Sequence, residues 1–144
     1  MSWGRSGHLE GEKQLAYALG AEQLDRIENI LRKDLMELSV HCIVLLDMAG
    51  NIIADLNNGK TKYDIYSLAA LAAGNFGAVS AMAKMVGEEE FFLLFHRGKK
   101  ENIYFSKLLN DFLLITIFGQ DLSLGFLRLR VGKSTEKIER ILAA

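Results

Sequence analysis

The sequence has no proline, one cysteine and one tryptophan in 144 residues. Without proline no X-Pro step marks a hinge or linker, so the thirteen glycines must carry most of the turn chemistry. Cys42 has no partner for an intramolecular disulfide, and no basic segment followed by an apolar one opens the chain. Both absences imply a reducing, cytoplasmic setting. Charge of one sign is missing too. Seventeen Lys and Arg stand against eighteen Asp and Glu, and the net charge of -1 gives no overall pull toward nucleic acid or anionic lipid. Internal repeats and low-complexity tracts are also lacking.

What is present is apolar: half of the residues are hydrophobic, enough for one substantial core in a chain too short to count on a second. The polar, glycine-rich start predicts a flexible N-terminal tail over residues 1–20 and a single domain over residues 21–144. Leu24, Ile27, Leu31, Leu35 and Leu38 recur at the spacing of one helical stripe and predict a helix over residues 21–38. Residues 41–47 and 51–56 are Leu-rich and β-branched runs around Met48-Ala49-Gly50, which predicts a hairpin. Asp64 is a candidate N-cap for a long helix over residues 65–86. Residues 91–96 and 102–107 flank a basic turn and predict a second hairpin, and the unbroken apolar run 112–118 predicts a central strand. From Leu122 on, Leu124, Leu127, Val131, Ile138, Ile141 and Leu142 share one face of a last helix. The order αββαβββα has loops too short for parallel crossovers, so the expected class is α+β, a five-stranded antiparallel sheet covered by helices.

At about 100° per residue the long helix shows two opposed stripes. Ile65, Leu68, Ala72, Phe76, Val79, Ala83 and Val86 have the bulk to pack on a sheet, while Ala70, Ala73, Gly74, Gly77, Ala81 and Lys84 form a second stripe of small side chains. Interior glycines each cost roughly 1 kcal/mol relative to alanine, which close approach of another backbone would offset. A twofold contact with a second copy is the simplest such partner, and burial beneath the chain's own loops is the plainer alternative. Residues 65–83 are uncharged, but so rich in Ala, Gly, Ser and Asn that membrane insertion is not expected.

Nucleotide chemistry has one suggestive string, Ala54 to Thr61 (ADLNNGKT), which fits a relaxed phosphate-loop pattern with Lys60 and Thr61 in the key positions. Ala54 replaces the first glycine, and the best N-cap lies several residues beyond the lysine, so the helix amides would not face a phosphate there. Asp47 before Gly50 resembles a Mg²⁺-holding acid but precedes the lysine loop and leads into a tight turn. His8, His41 and His96 lack metal-ligand spacing, and Cys42 beside His41 on a strand points to the opposite face. A core Cys and an edge His are the expected readings. No metal, cofactor or catalytic residue is expected.

The segments VLLDMAGNIIAD, LAALAAGNFGAVSAMAKMVGE and LLITIFGQDLSLGFLRLRVGKSTEKIERIL together resemble the Roadblock / dynein light chain superfamily, closest to its bacterial branch of gliding-motility GTPase regulators. The resemblance spans residues 21–142, with Ala73-Gly74-Asn75 and Ser123-Leu124-Gly125 as its most specific pieces. It implies a long helix on one sheet face, two terminal helices on the other, and a homodimer built from the long helix and the third strand. It further implies a binding partner for a Ras-like small GTPase, either a GTPase-activating protein or an adaptor, with no catalysis of its own. On that basis Ala70, Ala73, Gly74, Gly77, Ala81 and Lys84 would form the dimer and GTPase interface, with Tyr63, Asp64 and Tyr66 beside it. Arg97, next to Lys99 and Lys100, is the candidate for an arginine acting in trans, against the plainer reading of a solvated turn residue. A structural scaffold for a motor or membrane-associated complex is the competing function, and a phosphate-loop enzyme the third.

Overall fold

The computed structural model describes residues 19–60, 62–91 and 93–144. Its first half holds α1 (Ala21–Asp34), β1 (Val40–Asp47), β2 (Ile52–Asn57) and α2 (Ile65–Met85). β3 (Leu94–Arg97), β4 (Asn102–Leu108), β5 (Phe112–Phe118) and α3 (Leu124–Ala143) complete the order αββαβββα. All strand pairs are antiparallel, in the order β2-β1-β5-β4-β3. β5 lies at the centre with all seven residues buried, which is why its sequence shows no polar alternation. β2 and β3 are the sheet edges.

Alternation along the strands divides the core in two. Ile43, Leu45, Leu114 and Phe118 face α1 and α3, where they meet Ile27, Leu31, Leu35, Leu127, Val131 and Ile138. Val44, Leu46, Leu113, Ile115 and Ile117 face α2, which supplies Ala69 and Ala72 with partly buried Ile65, Leu68 and Phe76. The expected distribution of helices over the two faces is therefore the observed one. α1 and α3 run antiparallel: Gln23 Nε2 donates to the Ile141 carbonyl at 3.2 Å, and at the other end Lys137 Nζ lies 2.9 Å from Asp34 Oδ2. Buried Ser134 Oγ sits between Asp34 Oδ2 (3.2 Å) and the Arg130 carbonyl (3.0 Å), so its one proton has two acceptors.

Several boundaries differ from the sequence expectation. α1 stops at Asp34 rather than Leu38. A short 3₁₀ turn over Met36–Leu38 follows, and Ser39 at φ 71° swings the chain into β1. β3 is shorter than the run 91–96: Phe91 and Leu93 are exposed, and an ion pair from Glu90 to Lys107 holds that segment beside β4. Phe92, within the expected strand, lies outside the described residues, as do residues 1–18 of the expected tail. Leu19 is buried in the α1/α3 core. α3 starts at Leu124 because Ser123 Oγ accepts from the Phe126 amide at 3.2 Å.

The β1–β2 hairpin turns on Asp47. Its buried carboxylate accepts from the Ala49 and Asn51 amides at 3.0 and 2.9 Å through Oδ1, and from Asn51 Nδ2 at 3.1 Å through Oδ2. Gly50 has φ 93°, and a Cβ there would meet Ala70 Cα at 3.3 Å, so both the turn and its contact with α2 call for glycine.

Candidate functional site

α2 begins where Asp64 caps it: Oδ1 accepts from the Ser67 amide at 3.1 Å, and Ser67 Oγ donates to Oδ2 at 2.7 Å. Those bonds, the hydroxyl's first and the amide's second, hold the Asp64 carboxyl below its ordinary pKa. Beyond the cap, Ile65, Leu68, Ala72, Phe76, Val79 and Ala83 turn toward the sheet as their spacing predicts. Ala69 joins them. Val86 does not, since the helix ends at Met85 and leaves Val86 exposed.

The outer half of α2 is uncovered. Ala70, Gly74, Gly77, Ala81 and Lys84 are exposed, and a Cβ built on Gly74 or Gly77 would meet nothing within 4 Å. Among the described residues the Gly50 turn comes close to this stripe at Ala70, while Gly74 and Gly77 are left uncovered. Large apolar groups flank it: Tyr66 is 70% exposed, Leu71 73% and Met85 83%. Lys84 is the only charged residue in the helix. Of the other residues expected here, Ala73 and Tyr63 are half-buried and pack against the core beneath α2. By length and composition α2 would suffice to cross a membrane, yet its inner stripe is committed to the sheet.

Next to α2 lies the edge strand β3. Leu68, Leu71, Gly74 and Asn75 form one wall of a shallow groove, with His96 and Phe105 opposite. The His96 ring stands edge-on to Phe105, their centroids 5.7 Å apart. Leu71, Met82, Met85 and His96 escaped sequence reasoning, which followed the small side chains. The signal that marks the helical three is a helix with Lys84 as its one charged residue.

The other candidate sites resolve differently. Ala54 to Asn57, the start of the phosphate-loop string, belong to β2 and pair with β1, so no loop forms there. The Gly59 and Lys60 amides are used by Asn57 Oδ1 (2.7 Å) and Asn58 Oδ1 (3.0 Å), local turn bonds that keep them from a phosphate. Thr61 lies outside the described residues. Asp47 is the hairpin's acceptor. Arg97 ends β3 instead of lying at the turn: its guanidinium carbon is 5.5 Å from the Phe95 ring centroid, and Nη1 donates to Gln120 Oε1 at 3.3 Å. Cys42 is buried on the α2 side, where burial first and the Asp55 charge second push its thiol up to about 11. His41 sits on the interior strand β1 rather than at an edge, with Nδ1 2.8 Å from Glu101 Oε1. Among the described residues no three His, Cys, Asp or Glu side chains are grouped to hold a metal ion.

An antiparallel five-stranded sheet with one long helix on one face and two terminal helices on the other is the architecture of the Roadblock/LC7 domain. The model of that family matches residues 29–118, more than half of the chain, which therefore belongs to it. Within the family the chain is MglB-like. It is 28% identical to the gliding protein MglB of Thermus thermophilus, with a TM-score of 0.77 over 86% of this chain and 93% of that one. For Myxococcus xanthus MglB the identity is 30% and the TM-score 0.76, over 82% and 95%. An MglB with a tetrameric arrangement gives 28% and 0.79, over 86% and 92%. Among curated protein sequences none matches.

Proposed function

We propose that this protein is a homodimeric, cytoplasmic regulator of a Ras-like small GTPase in bacterial cell polarity or motility, acting as a GTPase-activating protein or an adaptor. The observation that carries this reading is the exposed outer face of α2, charged only at Lys84, beside the open edge of β3, in an MglB-like chain. Gly74 and Gly77 let a second helix come close, which offsets their cost of roughly 1 kcal/mol each. An edge strand at the same place offers unpaired backbone groups to a second copy, so one twofold operation extends the sheet and pairs the helices together. The GTPase would dock on the paired helices, with Ala70, Ala73, Gly74, Gly77, Ala81, Lys84, Tyr63 and Tyr66 at or beside the contact. Any acceleration of hydrolysis would come from reordering the partner's own residues. A role for Arg97 in trans is disfavoured, since it would have to leave both Phe95 and Gln120.

Calorimetry against a Ras-like GTPase from the same genome tests this. The expected result is two copies of this chain per GTPase loaded with a non-hydrolysable GTP analogue, and weaker binding to the GDP form. Gly77→Arg and Ala81→Arg should each abolish binding while leaving the circular dichroism of the fold unchanged; unaltered affinity in both variants would sink the proposal. The tetrameric arrangement of one relative favours a second reading, a structural dimerisation scaffold without effect on GTP hydrolysis. Binding indifferent to the nucleotide would select it.

A further inference from the structure

On the opposite face of the sheet, α3 carries a second exposed apolar patch of different chemistry. Its inner stripe, Leu127, Val131, Ser134, Ile138 and Ile141, is buried. On the crest, Phe126 and Leu129 are 44% and 58% exposed. Residues 124–133 contain Arg128, Arg130 and Lys133 and no Asp or Glu. The Arg130 guanidinium carbon lies 5.8 Å from the Phe126 ring centroid, and Nη2 donates to the Asp34 carbonyl at 3.3 Å, at the end of α1 that also carries Arg32 and Lys33. Gln120, just before α3, donates through Nε2 to the Gly98 carbonyl at 3.2 Å, which draws the turn bearing Lys99 and Lys100 toward the helix entry. Of the acids on this side, the Asp34 carboxylate is taken up by Lys137 and Glu139 accepts from the Leu109 amide. Asp121 lies at the entry, Glu136 is a turn beyond the patch, and Glu37 follows α1. Glu22, Asp25 and Glu28 lie in the earlier turns of α1, away from the end that meets Arg130. The net charge of -1 conceals this asymmetry, because other acids gather elsewhere, as at Glu88, Glu89 and Glu90.

We propose that this face of α3 is a peripheral membrane-docking surface for a bilayer rich in anionic phospholipid. An aromatic and an aliphatic side chain on a helix crest, flanked by cations and free of acids, are the elements of an interfacial helix. The apolar groups enter the headgroup boundary while Lys and Arg reach the phosphates. A crest also suits a flat, deformable surface better than a peptide, which needs a groove. The attachment is adsorption, with no span, and it leaves α2 facing away from the bilayer. It is independent of the GTPase reading.

Co-sedimentation of the full chain with vesicles is the test. Vesicles of equal parts phosphatidylglycerol and phosphatidylcholine should carry the protein down, and pure phosphatidylcholine vesicles should not. Each cation near the surface is worth about fivefold in partitioning, so Arg128→Gln with Lys133→Gln should weaken sedimentation about 25-fold, and high salt should do the same. Leu129→Gln should cost roughly fivefold, through lost apolar contact. Gly77→Arg should leave sedimentation unchanged, which separates this surface from that on α2. Equal sedimentation with both kinds of vesicle, or with neither, overturns the proposal, and so does retention of the protein by a polyglutamate peptide in place of vesicles.

Discussion

The two faces of the sheet are covered to different degrees. α1 and α3 close over theirs with Ile27, Leu31, Leu35, Leu127, Val131 and Ile138, none more than 1% exposed. α2 is the longest helix among the described residues, yet it fully buries only Ala69, Ala72 and Ala83 and leaves Tyr66, Leu71, Met82 and Met85 exposed. One layer is complete within a single chain and the other is not. A helix that is apolar on both sides is stable where both sides have something to touch, and the unfinished layer is the one on which the proposed partner would dock. Most of the fully buried helix side chains thus lie on one face of the sheet, and most of the exposed large apolar ones on the other.

The largest expected effect lies on the complete side. Leu31→Ala should lower unfolding free energy in urea by about 3 kcal/mol, as for other fully buried leucines, while Leu71→Ala on the exposed side should change it by less than about 0.5 kcal/mol in dilute protein. Equal losses would erase the contrast. A sharper test is Gly77→Ala, because its two consequences have opposite signs. At dilutions where the chain is monomeric it should gain about 1 kcal/mol, since the unfolded chain loses freedom and the new Cβ meets nothing. Self-association measured by sedimentation should weaken. Stronger association would mean that α2 does not pair by close approach.

The smallest effect belongs to the cap that starts α2. The folded value of Asp64 is depressed, so its contribution is present above the ordinary value of 3.8 and is lost as pH falls through the folded one. Asp64→Ala should therefore lower Tm at neutral pH, and the gap from the parent should close in acid. A gap indifferent to pH would mean that the charged carboxylate is not what caps the helix.

Much of this contrast was legible before any coordinates. The opposed stripes of α2 follow from spacing alone, and so did the exposure of Gly74 and Gly77 if not its extent. Asp64 marked its helix start correctly, because a cap is a bond to an amide three residues on, while the start of the last helix, which Ser123 caps, was not read from the sequence. How far Ala73 on the shoulder of the stripe and Tyr63 before the helix tuck against the core was not legible, since a wheel has no neighbours. The β3 boundary was missed for a related reason: Phe91 and Leu93 have the propensity for a strand, but the ladder to β4 reaches only to Leu94 opposite Phe105. The start of the phosphate-loop string, by contrast, was legible: the run 51–56 already predicted a strand through Leu56, and the structure extends it by one residue to Asn57, paired with Cys42 of β1.

By itself the sequence determined the αββαβββα order, the two hairpins and the two-sided character of α2, because each depends on periodicity and turn chemistry within a few residues. The tertiary structure alone decided that β5 joins β1 to β4, that Arg97 is tied to Phe95 and Gln120, and that Gly74 and Gly77 on the outer face of α2 are uncovered among the described residues. Those are properties of contacts between residues far apart in sequence, and exposure exists only once the whole chain has found its place.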